Sequence, residues 1–401
     1  MPVKSPYGVA MIGFLVAMVD GYDTLMLAFI APLISKEWAL APQVIGAMFA
    51  SSYAGAALGA TVIGIAADRY GRKAMLLASL ALAGAFTVMC AWSQGATQLM
   101  ALRAVAGLGL GGALATITAL TAERSPPQGR SAAVTRMFLG FPIGAIVGGI
   151  ATAGAMSVLG WRGVFVGGGT CALLLIPLVW GGVTESASAS ARVMSQVHSR
   201  RPFVELVADG RALATVLFCA FVFLMLLTSY FLVSWVPTVL TLNGAASKQA
   251  AMAAVILNVG GILGTLILSF IISRKSPLAP VIGSLCAGAI MIALLGHGIM
   301  EPGNGRIVLV FAVGLLIIGA QGGIPALCVH IYPASVHATA VGLSVACGRI
   351  GSIIGPLVGG FLISASLGWQ RLFLVAAVPA LAAGIALAAL AANRKQYGVH
   401  S

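Results

Sequence analysis

The chain has 401 residues, 60% of them hydrophobic and only 8% charged, with a mean hydropathy of +1.05. Soluble domains carry roughly 25% charged residues, so a soluble enzyme, or one held by a single anchor, is excluded. The formal net charge of +13 is explained by membrane topology and anionic headgroups and needs no nucleic-acid partner, and the six cysteines, all within apolar runs and without metal spacing, read as reduced core residues. The apolar segments run 8–34, 43–67, 74–93, 96–122, 131–156 and 161–183. After a polar stretch from Thr184 to Arg211 they continue 212–240, 248–272, 278–300, 304–331, 336–366 and 370–392. Each can cross a ~30 Å hydrocarbon core as a helix. The expected fold is an all-α membrane protein of twelve transmembrane helices in two six-helix bundles, 1–183 and 212–401, joined by the linker 184–211. An internal repeat supports the halving. Gly140-Phe-Pro-Ile-Gly-Ala-Ile-Val-Gly-Gly149 is followed by Leu159-Gly-Trp-Arg162, and Gly351-Ser-Ile-Ile-Gly-Pro-Leu-Val-Gly-Gly360 by Leu367-Gly-Trp-Gln-Arg371.

The first segment is too long and too acidic for a cleavable leader. It holds Asp20 and Asp23, and Asp20 lies roughly 18 Å in from Gly8, near the midplane. A carboxylate at that depth costs at least ~2.5 kcal/mol on insertion scales and normally faces a wet cavity that carries protons, ions or substrate. The i, i+3 spacing puts both acids on one helix face. A buried structural ion pair is the rival reading, for which one carboxylate would suffice. Three of the 22 basic residues lie inside segments. Arg349 sits about 20 Å into the eleventh segment, too deep to snorkel comfortably. Arg103 lies ~10 Å below the outer surface, where it either supports proton coupling or snorkels. Arg136, six residues past Arg130, is expected to reach the interface. Of the other nineteen, fourteen fall on one side and five on the other, so the positive-inside rule places both termini and the linker in the cytoplasm.

The loop Gly64-Ile-Ala-Ala-Asp68-Arg69-Tyr70-Gly71-Arg72-Lys73 resembles the signature loop of the major facilitator superfamily, G-x-x-x-D-R-x-G-R-R/K, at every defined position. Parallel six-helix repeats are also that superfamily's architecture, with substrate bound between the halves near the midplane. In this loop Gly64 is expected to allow close helix packing and Gly71 a tight turn. Asp68 is expected to cap the next helix or to pair across the cytoplasmic face as a gate, with Glu123, Arg124 and Arg130 as its partners. The second half offers only Ser273-Arg274-Lys275 at the equivalent loop, without the acid. Arg103-Ala-Val-Ala-Gly107-Leu-Gly109 is similar to the superfamily's R-x-x-x-G-x-G motif.

The resemblance narrows to the aromatic acid/proton symporter family through Asp20-Gly-Tyr-Asp23-Thr24, Gln321 in Gly319-Ala-Gln-Gly-Gly323, Tyr332-Pro333 with Ala338-Thr339, and Gly348-Arg349-Ile-Gly351. His337, where that family usually has Arg, and Thr184-Glu185-Ser186 depart from its pattern. The resemblance implies a bacterial inner-membrane symporter with no cofactor, acting as a monomer, whose substrate is a small organic anion such as a hydroxybenzoate or phenylpropanoid acid. It places transport-essential acids at Asp20 and Asp23. The cavity chemistry agrees. Arg349 suits a substrate carboxylate, and Asp20, Asp23 and Arg103 suit proton coupling. Tyr22, Tyr53, Phe138, Tyr230 and Trp235 either line an aromatic slot or fill helix contacts, and Asn258 and Gln321 reach substrate hydroxyls or bond across the bundle. A proton-coupled antiporter of drugs or metabolites, a symporter of a sugar acid, and a membrane receptor or enzyme are the alternatives. The displaced proline in Gly140-Phe-Pro142-Ile-Gly144 disfavours export. The lack of HExxH, nucleophile-elbow and phosphate-loop motifs gives catalysis no support.

Overall fold

The computed structural model describes residues 6–126, 129–184, 206, 211–274, 276–298, 304–332, 336–365, 367 and 369–393, and every regular element among them is helical. In chain order these are α1 (Pro6–Trp38), α2 (Pro42–Tyr70), α3 (Arg72–Met89), α4 (Ala96–Arg124), α5 (Arg130–Phe138) and α6 (Gly140–Gly182). They continue with α7 (Ala212–Leu242), α8 (Ser247–Ile272), α9 (Leu278–Gly298), α10 (Asn304–Val313), α11 (Ile324–Ile331), α12 (His337–Ser364) and α13 (Trp369–Ala392). Among the described residues, eleven helical stretches are long and apolar enough to cross a membrane. One of them, 132–182, has 51 residues, about 75 Å as a straight helix and more than two bilayer cores. It breaks at Gly160, whose φ of 60° and ψ of −175° suit only glycine. That stretch therefore contains two crossings, and the chain makes twelve. Of the expected linker, only Thr184, Leu206 and Arg211 fall among the described residues.

The described chain divides into two compact units, one within residues 1–198 with 246–252 and the other within 199–245 and 253–401. In the first, backbone lies against backbone. A Cβ on Gly55 or Gly59 of α2 would overlap the carbonyls of Ala104 and Leu108 on α4, and one on Gly107 or Gly111 would overlap those of Ser52 and Ala56. The helices α1 and α6 interlock in the same way, with Gly21 against the Phe141 carbonyl, Gly140 against Phe14 and Gly144 against Met18. Hydrocarbon supplies no hydrophobic drive between helices, so this close approach replaces it with van der Waals contact. An apolar cluster including Val16, Leu80, Ile117, Met137 and Val179 fills the unit toward its Asp68 end.

The second unit repeats the device. Gly260 and Gly264 of α8 meet the carbonyls of Phe311 and Leu315, and Gly314 meets Leu257. Gly351 and Gly355 of α12 meet the carbonyls of Phe223 and Leu227 on α7. The expected tenth segment, 304–331, is not one regular helix. After α10 it makes a π turn at Gly314–Ile318 and a 3₁₀ turn at Gln321–Gly323 before α11. Neighbours bond its irregular backbone: Ser284 Oγ donates to the Leu316 carbonyl at 2.7 Å and Thr265 Oγ1 to Gly319 at 3.4 Å.

Gly144→Val should force a branched side chain onto the Met18 carbonyl and cost ~1–3 kcal/mol or more by overpacking. Gly154→Val, at a position with nothing within 4 Å of its Cβ among the described residues, should melt near the wild-type temperature. Thermal unfolding of both in detergent gives the comparison, and equal melting temperatures would contradict the backbone-contact argument.

Candidate functional site

The deepest charges of the first unit form one cluster. From α4, Arg103 sends Nη2 to Asp23 Oδ2 at 2.6 Å and Nη1 to Asp23 Oδ1 at 3.0 Å, with Nη2 also 3.4 Å from the Asp23 carbonyl. Its Nε donates to Ser52 Oγ of α2 at 3.0 Å. Thr87 Oγ1 of α3 donates to Asp23 Oδ1 at 3.0 Å. The guanidinium carbon lies 6.0 Å from the Phe165 ring centroid on α6. Arg103 is 1% exposed and Asp23 3%, so Arg103 does not snorkel. It is a two-pronged ion-pair partner, the arrangement that fits a planar fork to a carboxylate. Thr87, Ser52 and Phe165 were not singled out by sequence; a hydroxyl inside an apolar helix, alone at Thr87 and beside Ser51 at Ser52, was the only signal for the first two.

Asp20, one turn earlier, is also buried at 7% exposure. Tyr22 turns away from the cluster. Its ring lies against Gly148 and Gly168 of α6 and its hydroxyl accepts from Thr152 Oγ1 at 3.3 Å, so it serves helix contact where an aromatic slot was an expectation. Tyr53 is buried at 4% and Phe138 is 41% exposed.

At the signature loop Gly71 takes φ 99°, as a tight turn needs. Gly64 does not mediate close packing, since nothing among the described residues lies within 4 Å of its Cβ position. Asp68 does not cap α3, whose N-cap is Gly71 without a side-chain bond. It pairs instead with Arg72 at 3.2 Å, and Arg72 reaches Glu123 at 2.9 Å. The expected partners Arg124 and Arg130 are used elsewhere: Arg124 Nη2 donates to the Thr184 carbonyl at 2.8 Å and Arg130 Nε to the Ser125 carbonyl at 3.4 Å. Arg69 lies over the Tyr70 ring. Lys73 Nζ donates to the Trp180 carbonyl at 2.7 Å.

In the second unit Arg349 is partly buried on α12, and its guanidinium has no hydrogen-bond or ion-pair partner among the described residues. From residue 212 onward the only acidic side chain in the sequence is Glu301, outside the described residues. Trp235 is 0% exposed and donates Nε1 to the Pro356 carbonyl at 2.9 Å. It is a helix-contact residue here, with Gly359 giving way to its indole. Asn258 Nδ2 bonds the Ala254 carbonyl of its own helix at 2.8 Å. Tyr230 is partly buried, and partly buried Gln321 starts the 3₁₀ turn. His337 Nε2 lies 2.6 Å from the Tyr332 carbonyl.

The family model described as Major Facilitator Superfamily matches residues 13–353. A 3-(3-hydroxy-phenyl)propionate transporter of Escherichia coli is 36% identical over 384 residues, covering 96% of this chain and 93% of its own. A gallate transporter of Pseudomonas putida is 30% identical over 403 residues, covering 94% and 90%. Among solved structures, a bacterial homolog of the human lysosomal transporter Spinster, inward-facing and occupied, superposes with a TM-score of 0.77 at 17% identity over 96% of this chain and 95% of that one.

Arg103→Gln should leave Asp23 buried without its counter-charge and cost ~3–5 kcal/mol. The double variant Arg103→Gln/Asp23→Asn should recover much of that loss. Denaturation of the purified proteins in one detergent measures both, and a double variant no more stable than Arg103→Gln would show that the pair is not coupled.

Proposed function

The chain belongs to the major facilitator superfamily, and from that premise we propose that it imports an aromatic carboxylate together with protons by alternating access. It is a transporter rather than an enzyme and a multi-pass membrane protein. The observation that carries the substrate class is the asymmetry of charge. A guanidinium at Arg349 stands in a half with no described carboxylate to meet it, and an intramembrane cation needs an anion. Asp23 is already committed to Arg103, so a substrate carboxylate is the natural partner of Arg349. The relatives named for 3-(3-hydroxy-phenyl)propionate and gallate point to acids that join such a carboxylate to a phenolic ring.

Asp20, Asp23 and Arg103 supply the proton side. Protonating Asp23 breaks both prongs of its pair with Arg103, and an arriving anion replaces the lost negative charge. Proton and acid together add no net charge, so loading leaves the total charge of the carrier unchanged as it reorients. The bridge Asp68–Arg72–Glu123 ties α2, α3 and α4 together at one end of the first unit and supports the cytoplasmic gate from that side. The excess of basic loops on that side supports cytoplasmic termini in a bacterial inner membrane, and the carrier works as a monomer.

In proteoliposomes with an imposed proton gradient, wild type should accumulate radiolabelled 4-hydroxybenzoate or 3-(3-hydroxyphenyl)propionate. Asp23→Asn should abolish accumulation, and full accumulation by both Asp20→Asn and Asp23→Asn would refute proton coupling through these acids. Arg349→Ala should weaken binding of the acid by ~2–5 kcal/mol, the usual loss when one partner of a buried charge pair is removed. Its neutral amide should bind wild type and variant alike. An equal penalty on acid and amide would make Arg349 structural. Asp68→Asn should slow exchange while equilibrium binding stays within a few-fold; a large loss of affinity at normal exchange rate would remove the gate assignment.

A further inference from the structure

We propose that the N-terminal unit carries a second site for an aromatic carboxylate, at the end of α1 and α5 nearest the Asp68 loop, with Arg136 as its anion-binding group. The inference rests on the transport reading and adds a station on the way out. A cavity of about 430 Å³ opens there. Its walls are Met11 and Phe14 from α1, Ser125 and Pro126 from the turn after α4, and Ala133 and Arg136 from α5. Below it the two helices close on each other, with Gly13 against the Met137 side chain and Gly140 against the Phe14 carbonyl.

The lining has the composition of a small-acid site. Such sites run from about 300 Å³ upward and combine apolar walls with few polar groups. Here the one charged group is Arg136, which is exposed and lines the cavity. No acidic side chain lines it. The guanidinium has no hydrogen bond or ion pair among the described residues, so its fork is available to a carboxylate. Phe14 and Met11 offer the ring an aromatic face and a polarizable thioether. Ser125 Oγ donates to the Thr121 carbonyl at 2.7 Å, which leaves its lone pairs to accept from a phenol. Phe14 precedes Asp20 by six residues, ~9 Å along α1. The cavity thus lies one short step from the proton-handling acids, toward the end that the basic loops mark as cytoplasmic. A lipid phosphate shares the negative charge but has no ring to place on Phe14.

The test is photolabelling of the purified full chain with 4-azidobenzoate, in detergent and in phosphatidylcholine vesicles, with modified peptides mapped by mass spectrometry. Label is expected in 10–14 or 125–136, at least fivefold lower in Arg136→Gln, suppressed by benzoate and not by benzamide. Adding phosphatidylglycerol should leave it within twofold. Labelling that ignores Arg136→Gln, or that benzamide suppresses as well as benzoate does, overturns the site. So does labelling that phosphatidylglycerol abolishes and benzoate leaves intact, which would assign the cavity to lipid. Intact proton-driven accumulation by wild type with no Arg136-dependent label sinks this inference alone. Arg136-dependent label in a protein that accumulates no aromatic acid upholds the site and sinks the transport reading.

Discussion

A guanidinium buried in hydrocarbon is costly without a counter-charge or a wet cavity, and the N-terminal unit is built around supplying the counter-charge to Arg103. The pair with Asp23 draws in one group from each of α1, α2, α3 and α4. Its geometry depends on the glycine contacts one turn away. Because Gly107 lets the α4 backbone rest on the Ser52 carbonyl, Arg103 is close enough to place Nε on the Ser52 hydroxyl. A bulkier residue at Gly107 would separate the helices and open the ion pair to whatever filled the gap. Packing and electrostatics are thus a single constraint here, with the backbone contact fixing the distance and the charge pair fixing the depth.

The two units share this scaffold but not its charges. The contact of Gly55 with Ala104 has its counterpart in Gly260 with Phe311, and that of Gly107 with Ser52 in Gly314 with Leu257. Carried across the same registers, Arg103 corresponds to Val310 and Ser52 to Leu257. The contact of Gly144 with Met18 matches that of Gly355 with Leu227, which sets Asp20 against Ser229 and Asp23 against Leu232. Every member of the charged cluster therefore has an uncharged counterpart. Tyr53 corresponds to Asn258, and the register of Gly144 on Gly355 sets Phe138 against Arg349, so at these two places the second unit carries the more polar side chain. Duplicated helices give a common frame, and the proposed division of proton and anion handling rests on which frame holds the charges.

The crossings were legible in the sequence because twenty apolar residues in a row have few other uses, and the sequence separates 131–156 from 161–183 where the structure runs one helical stretch through the break at Gly160. Deep charges were legible as well, since Asp23 and Arg103 violate an otherwise apolar pattern. Their pairing was not, for the two lie 80 residues apart and no local spacing links them. The signature loop shows the limit of motif reading. Gly71 takes the positive φ that its motif predicts, yet Asp68 bonds within its own loop and the contact expected of Gly64 is not there. Tyr22 and Trp235 were ambiguous because an aromatic residue serves a groove of glycines as readily as a ligand. Which it serves depends on Gly148 and Gly359, residues more than a hundred positions away in sequence.

The π turn at Gly314–Ile318 has a bearing on how the two halves diverged. One turn of this kind holds an extra residue relative to an α-helical turn, a local insertion into the hydrogen-bond ladder. In a membrane such an insertion survives only where a neighbour bonds the backbone group it displaces, and Ser284 does so at Leu316. Everything beyond it, Gln321 included, is turned by about 100°, the angle per residue of a 3.6-fold helix. The sequence correspondence itself does not slip, since Gly112, Ala113, Ile117 and Leu120 still fall on Gly319, Ala320, Ile324 and Leu327 at the same offset as Gly107 on Gly314. A helix that shares the register of α4 can thus present a different set of side chains past its middle without losing the glycine register before it.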